Sequence, residues 1–247
     1  MTPVVKPIER LTDIDRREMF GLLERCFSGV ALDVFEDDLA NKTLAILLRA
    51  AHGELQGFST LALYHAAGPG GEVATIACSG DTIVAPEAWG SSALSRAWIN
   101  TAMRWHAEHG SGRLYWLLIT SGFRTYRFLP VFFRCFYPHY EYQTSPESVS
   151  WTHRLAEERW GAAYDRASGI VRFEQPQRLR LPLAGVPAGK ADDPHIRHFL
   201  KLNPGHTKGD ELVCLCELSG GNLTRAGRRM VDAGNEQSQP HVMEIAR

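Results

Sequence analysis

The chain has 247 residues and a mass of 27.6 kDa, enough for one large domain or two small ones around a substantial core. Its composition, 44% hydrophobic and 22% charged, excludes wholesale disorder and collagen-like repeats. The formal net charge of −1, from 27 basic and 28 acidic side chains, argues against a nucleic-acid binder that works by neutralising phosphates.

In chain order, residues 13–27 place Met19, Leu22, Leu23, Cys26 and Phe27 at helical spacing, and Thr12 or Asp13 can cap the start. Residues 28–41 carry a glycine and four acidic side chains, which reads as a loop or a broken second helix. Residues 44–49 and 55–64 are apolar runs joined by His52-Gly53-Glu54, a hairpin signal. Ala67-Gly68-Pro69-Gly70-Gly71 breaks the pattern, and residues 73–84 read as a third strand of an antiparallel meander. Residues 91–108 then set Leu94, Ala97, Trp98, Ala102 and Trp105 on one helical face, ended by Gly110 and Gly112. Residues 113–120 (RLYWLLIT) are almost wholly apolar, as in a strand buried on both faces. Strand, loop, helix and strand in this order make a right-handed crossover between parallel strands. The aromatic stretch 123–142 reads as helical over its middle.

Beyond Ser145 the pattern weakens. Residues 149–167 are helix-like, 175–194 are rich in Pro, Gly and Arg and read as irregular, 212–218 form a strand and 224–231 a short helix. The polar tail from Asn235 is expected to fray. This suggests a core over 1–145 and an extension over 146–247 that packs on the same core.

None of the five cysteines, Cys26, Cys78, Cys135, Cys214 and Cys216, sits in a Cys-x-x-Cys pair, so neither a disulfide framework nor a zinc ribbon is indicated. Residues 1–10 lack a signal-peptide pattern, and no apolar run approaches the roughly 18 residues of a membrane helix. The expectation is a cytoplasmic protein with no membrane span. Cys214 and Cys216 share a strand face, and His195 and His198 a helix face. A metal would need those two faces to converge, and none is expected.

The crossover is the most informative segment. A strand ending in a short Gly-bearing loop that opens a helix leaves unpaired backbone N–H groups at the positive end of the helix dipole, which favours phosphate. Here the strand ends Thr82-Ile83-Val84, the loop runs from Ala85 to Gly90, and the helix opens at Ser91-Ser92-Ala93, small residues that allow close approach. The ordinary alternative is a βα turn capped by Ser91 or Ser92. Upstream, Cys78-Ser79-Gly80-Asp81-Thr82 carries a glycine inside a strand, the mark of a bulge that re-aims a side chain. An Asp in so apolar a strand must be hydrogen-bonded or exposed, either facing a site or bonding Thr82 at an edge. A Cys78 thiol nucleophile has nothing to orient it, and a lone strand Cys is usually a core residue.

The order helix, antiparallel meander, loop, helix, buried strand, aromatic segment resembles the GNAT superfamily of acyl-CoA N-acyltransferases, over residues 9–142. In that family the fourth strand leads into a pyrophosphate loop of the form Gln/Arg-x-x-Gly-x-Gly/Ala. The corresponding stretch, Pro86-Glu87-Ala88-Trp89-Gly90-Ser91-Ser92-Ala93, keeps one glycine and small residues but lacks the basic start and the second glycine. The resemblance implies a mixed α/β (α+β) fold with a mainly antiparallel sheet, whose fifth strand, 113–120, splays from the fourth. It also implies transfer of an acyl group from a thioester donor, acyl-CoA or an acyl carrier protein, to the amine of a small molecule. A non-catalytic ligand- or partner-binding module of the same fold is the alternative, and a homodimer contact stays open.

On that reading the amides of Ile83, Val84 and Ala85 polarise the thioester, and Gly90, Ser91, Ser92 and Ala93 hold the pyrophosphate. Asp81 is the base or an acceptor contact. The family's acid is a Tyr on the helix after the fifth strand; Phe133 occupies that place here, in Phe132-Phe133-Arg134-Cys135-Phe136-Tyr137. Tyr126 is the substitute, with Cys135 and Tyr137 also in range. Pro130 is comfortable near a helix start. A helix beginning near Leu129 leaves 121–128 as a loop over the site, with Ser121, Arg124 and Arg127 able to meet ligand phosphates.

Overall fold

The computed structural model describes residues 1–180 and 183–237, with side chains described to residue 231. Strand β1 (Thr2–Pro7) precedes helix α1 (Asp13–Cys26). The helix starts at a capping box: Asp15 N donates to Thr12 Oγ1 at 3.1 Å and Thr12 N donates to Asp15 Oδ2 at 3.0 Å. Lys6 and Arg49 also bind this buried carboxylate, at 2.7 and 2.8 Å. Those hydrogen bonds outweigh desolvation and hold its pKa far below the usual carboxylate range. Met19, Leu22, Leu23 and Cys26 are buried, as their spacing predicts. Residues that read as loop or broken helix contain α2 (Leu32–Ala40), which buries Phe35 and Leu39, one turn apart.

Strands β2 (Leu44–Arg49), β3 (Leu55–Ala67) and β4 (Val73–Val84) form the antiparallel meander. Helix α3 (Ala93–His109) crosses to β5 (Leu114–Thr120), which runs parallel to β4. Two short helical pieces follow, α4 (Phe123–Tyr126) and α5 (Phe128–Phe132). The aromatic stretch is therefore helical at its start and not over its middle. Pro130 lacks the N–H that would bind the Tyr126 carbonyl, which interrupts the helix. The rest of the stretch leaves helical geometry so that the Tyr137 backbone can pair with Leu215 (2.8 and 3.0 Å).

Helix α6 (Pro146–Trp160), shorter than its sequence pattern, ends at Gly161, whose φ is +48°. Strands β6 (Tyr164–Asp165) and β7 (Ile170–Val171), helix α7 (Pro194–Leu202), strand β8 (Glu211–Glu217) and helix α8 (Arg225–Gln237) complete the order. Positions 181–182 lie outside the described residues; of the tail expected to fray from Asn235, residues 235–237 continue α8 and the remainder lies outside the described residues.

One eight-stranded sheet runs β1-β2-β3-β4-β5-β8-β7-β6, and only the β4–β5 pair is parallel. The fold is thus a mixed α/β one with a mainly antiparallel sheet. Alternating strand residues feed two layers. Ile46, Leu48, Trp116 and Leu118 pack with α3, α5, α7 and α8 on one face. Ala45, Leu47 and Phe58 meet α1 and α2 on the other, where Leu117, Val213 and Leu215 meet α6.

Candidate active site

Strands β4 and β5 are hydrogen-bonded neighbours only from Thr75 opposite Leu114 to Cys78 opposite Leu117. Past that point β4 continues to Val84 and β5 to Thr120 without pairing to each other. The cause of the divergence is local. In the β3–β4 ladder Ser59 faces Thr82 and Leu61 faces Ser79, so Gly80 and Asp81 together oppose Thr60. This two-against-one bulge bends and twists β4. Glycine at its first position leaves room for its neighbours: a Cβ on Gly80 would lie 2.2 Å from Thr60 Oγ1 and 2.4 Å from Lys42 Cε, so both side chains would have to move. Strand β5 is held from its other edge by β8. At the vertex Trp116 Nε1 donates to Ser79 Oγ at 3.1 Å and ties the two strands together.

A cavity of about 1230 Å³ opens from this divergence, with walls from both faces of the sheet. On the face of α2 and α6 its wall includes charged side chains. Asp38, Lys42, Asp81, Arg159 and Glu211 line it there. Lys42 Nζ is committed to Asp38, bonding its side chain and its carbonyl. Desolvation pushes the Asp81 carboxyl up to about 7; nearby Asp38 adds to the rise and Lys42 opposes it. Desolvation pushes Glu211 up to about 8, with the Asp81 and Asp38 charges adding to it. Two carboxyls raised toward neutral pH at the edge of one cleft can hold and pass a proton there. Glu211 was missed in the sequence because it opens an otherwise apolar strand, ELVCLCE. Only the pairing of β8 beside β5 brings it to Asp81. On the α3 face Leu94, Trp98 and Ile99 of α3, Trp116 and Leu118 of β5, and Phe132 of α5 join the wall, together with Ser91 and Ser95.

The end of β4 sorts the three amides expected to polarise a thioester. Ala85 N donates to Gln56 O at 2.8 Å, so this amide is already used. Strand alternation turns Ile83 toward β3 in the same way and Val84 toward the diverging edge. Consistent with that, the Val84 carbonyl accepts from Trp89 Nε1 at 2.9 Å on the outer side. The expectation for Ile83 and Ala85 is therefore corrected: their amides serve the β3–β4 ladder, and Val84 has the amide that faces the gap.

The loop to α3 contains a short 3-10 turn, Pro86–Ala88, and the helix begins at Ala93. Ser91 Oγ accepts from Ala93 N at 3.2 Å, and Ser92 Oγ accepts from Arg96 Nη2 at 2.7 Å. The Ala93 N–H therefore has a side-chain cap, as the βα-turn alternative predicts. Gly90 is exposed, with no atom within 4 Å of where a Cβ would stand. Arg96 brings a positive charge to this loop from the first turn of the helix, a position the loop motif does not inspect.

Arg124 and Ser121 line the cavity. The Arg124 guanidinium lies over the Trp89 ring at 4.6 Å and the Phe123 ring at 4.7 Å, and donates to the Leu183 carbonyl. Arg127 lines the cavity too and pairs with Asp193 at 3.1 Å. Tyr126 is different. It is fully buried, outside the cavity wall, its ring tilted against Phe199 at 5.5 Å, and its hydroxyl donates to the Pro138 carbonyl at 2.8 Å. The expectation that Tyr126 supplies the acid is corrected: its proton is spent inside the core. Phe133 is also buried, edge-on to Trp116 at 6.0 Å. Cys135 is exposed and Tyr137 holds its place by backbone pairing with β8, both away from the cavity wall.

A mostly antiparallel sheet whose single parallel pair diverges at a bulge, with a helix crossing between the two strands, is a GNAT-like fold. No family model matches the sequence, and no curated protein matches it. Solved structures share part of the chain's course. A conserved protein of unknown function from Enterococcus faecalis V583, described as a probable N-acyltransferase, is 16% identical over 51% of this chain, with a TM-score of 0.40. This chain spans 31% of that protein, less than a third of its length. A Trypanosoma brucei acetyltransferase is 18% identical, covering 58% of this chain and 97% of its own, at a TM-score of 0.38. A GNAT family N-acetyltransferase from Escherichia coli, solved in complex with CoA, is 16% identical over 52% of this chain and 68% of its own, at a TM-score of 0.38. No helix among the described residues is long and apolar enough to cross a membrane.

Proposed function

We propose that the protein is an acyltransferase that moves an acyl group from an acyl-CoA thioester to the amine of a small molecule. The observation that carries the reading is the gap between β4 and β5, which opens onto a cavity with Asp81 in its wall. An extended thioester arm needs a slot with free backbone groups on one edge, and a diverging parallel pair offers one. The Val84 N–H is then the donor for the thioester carbonyl as it becomes an oxyanion.

An amine arrives mostly as an ammonium ion and must lose a proton before it attacks. A carboxylate that titrates near 7 is matched to that task, and Asp81 is placed there in this reading. The amine nitrogen bonds to the acyl carbon, the carbon–sulfur bond breaks and the thiolate takes a proton; the nitrogen then sheds its second proton to the group that protonated the thiolate, and Asp81 returns the first to solvent. Glu211, still largely protonated at pH 7, is the group suited to give the thiolate its proton. Gly90, Ser91, Ser92 and Ala93 with Arg96 and Arg124 form the electropositive end for the donor's phosphates. Residues beyond Ser145 contribute Arg159, Phe173 and Glu211 to the cavity, which supports a role for that part in shaping the acceptor site.

Two measurements test the proposal. Coenzyme A at about 100 times its dissociation constant should raise the melting temperature by roughly 5–10 °C. Acyl-CoA with a panel of amines should release free thiol. Neither a shift nor thiol release with any member of the panel overturns it.

A further inference from the structure

We infer that the amine this protein acylates also carries a carboxylate, and that Arg159 is the side chain that binds it. The inference rests on the acyl-transfer reading and adds the chemical class of the acceptor to it.

The cations that line the cavity differ in what they are already bound to. Lys42 is spent on Asp38, Arg127 pairs with Asp193 at 3.1 Å, and Arg124 lies on two aromatic rings and donates to the Leu183 carbonyl. Arg159 lines the same cavity from the last turn of α6, half-buried. No carboxylate among the described residues pairs with it. The two acids that precede it on the helix are taken: Glu157 pairs with Arg166 at 2.7 Å and Glu158 with Arg154 at 3.0 Å. A guanidinium is a planar fork that matches the two oxygens of a carboxylate. This one faces a cavity with that fork unfilled.

Its place relative to Asp81 is the second observation. The Arg159 charge is felt at the Cys78 thiol and the Tyr64 hydroxyl, where it opposes the upward push of desolvation. At Asp81 the cation that opposes the same push is Lys42 instead. Cys78 and Asp81 both line the cavity, three residues apart on β4, which is about 10 Å of extended chain at most. Arg159 and Asp81 therefore serve two ends of one space. Had they paired directly, the guanidinium would hold the carboxyl ionised and weaken it as a base. Set apart, they orient an acceptor that has opposite charges at its ends: the ammonium is repelled by Arg159 and drawn to Asp81, and the carboxylate the reverse.

The test compares matched acceptors with the acyl-CoA that gives the fastest thiol release. Glycine, β-alanine, 4-aminobutanoate and 6-aminohexanoate are each set against the corresponding carboxamide, which has the same shape without the charge. In the best-spaced pair the carboxylate should be preferred in kcat/KM by about ten- to a hundredfold. Arg159→Gln should abolish that preference, and Arg159→Lys should keep only part of it, because an ammonium lacks the fork. Melting curves establish that each variant is folded. Lys190 also lines the cavity, from an exposed turn, and Lys190→Gln should leave the preference within about twofold. Carboxamides used as well as carboxylates throughout the series overturn the inference and leave the acyl-transfer reading intact. So does a preference that survives Arg159→Gln and disappears with Lys190→Gln. No thermal shift with coenzyme A and no thiol release with any amine overturns both.

Discussion

The two halves of β4 share one strand and have opposite tasks. From Thr75 to Cys78 the strand has partners on both edges, antiparallel β3 and parallel β5, and Thr75, Ile76, Ala77 and Cys78 are buried. From Ser79 to Val84 it keeps β3 and loses β5, gains a bulge, and carries Ser79, Asp81 and Thr82 along the cavity. The first half satisfies every backbone group in the ladder and contributes to stability through burial. The second leaves one edge open to a ligand and sets a carboxyl beside it. A single inserted residue at Gly80–Asp81 converts one into the other.

Substitutions on either side of the bulge should separate these tasks. Asp81→Asn keeps the shape and removes the base. Turnover should fall by two to four orders of magnitude, with the melting temperature unchanged or raised, because the variant no longer has a carboxylate to desolvate. Full turnover with an acyl-CoA and amine that the wild type uses would remove Asp81 from the chemistry. Leu117→Ala, in the last paired position of β5 and fully buried, should do the reverse. A stability loss of about 2–5 kcal/mol is expected from denaturant unfolding, with the turnover of the folded fraction retained. Loss of activity without loss of stability would show that the paired half is not merely scaffold.

Much of this division was legible in the residues. The three meander strands are apolar runs between turn residues, and a glycine inside the third marks the bulge that the structure has. Strand β1 was not visible, because Pro3 and Pro7 flank only two valines and such a segment is tolerated only at a sheet edge. The segment 123–142 was misread because aromatic spacing resembles a helix while Pro130 and the pairing of Tyr137 with Leu215 decide otherwise. Glu211 could not be seen beside Asp81, since their proximity is created by β8 adding to β5. Which amide of Ile83, Val84 and Ala85 is free depends on ladder parity, and that appears only once the register with β3 is known.

The carboxyl pair gives a pH signature that sharpens the comparison further. With Asp81 as base, kcat/KM should rise as the pH passes about 7, and with Glu211 as acid it should fall above about 8. Because the two groups interact, the limbs belong to the pair. Asp81→Asn should flatten the rising limb of whatever activity remains, and Glu211→Gln the falling one. Stability moves in a definite direction. Both carboxyls titrate higher in the folded chain than in the unfolded chain, so the native state holds more protons between about pH 4 and pH 8. Their contribution is fully present below about pH 4 and is lost as the pH rises through about 7 and then about 8. In the double variant Asp81→Asn, Glu211→Gln, the melting temperature should lose this part of its pH dependence. A wild-type profile with no inflection between pH 6 and 9 would mean that the cavity solvates both carboxyls as water does.

The smallest expected effect lies at Tyr126, whose residue type fits an acid as well as Asp81 fits a base. What separates them is where their polar atoms are spent. The Asp81 carboxyl forms part of the cavity wall, whereas the Tyr126 hydroxyl is used by Pro138 at 2.8 Å in a fully buried setting. Burial raises its pKa well above that of an ordinary phenol, so the hydroxyl stays protonated, but a proton held in the core is not delivered to a thiolate in the cavity. Tyr126→Phe removes the hydrogen bond and leaves the Pro138 carbonyl unpaired, a cost of about 1–2 kcal/mol in unfolding free energy. Turnover should stay within about twofold of wild type, since the lost group touches no reactant. A loss nearer a hundredfold in kcat, at unchanged stability, would return the acid to this residue and require α4 to open toward the gap during turnover.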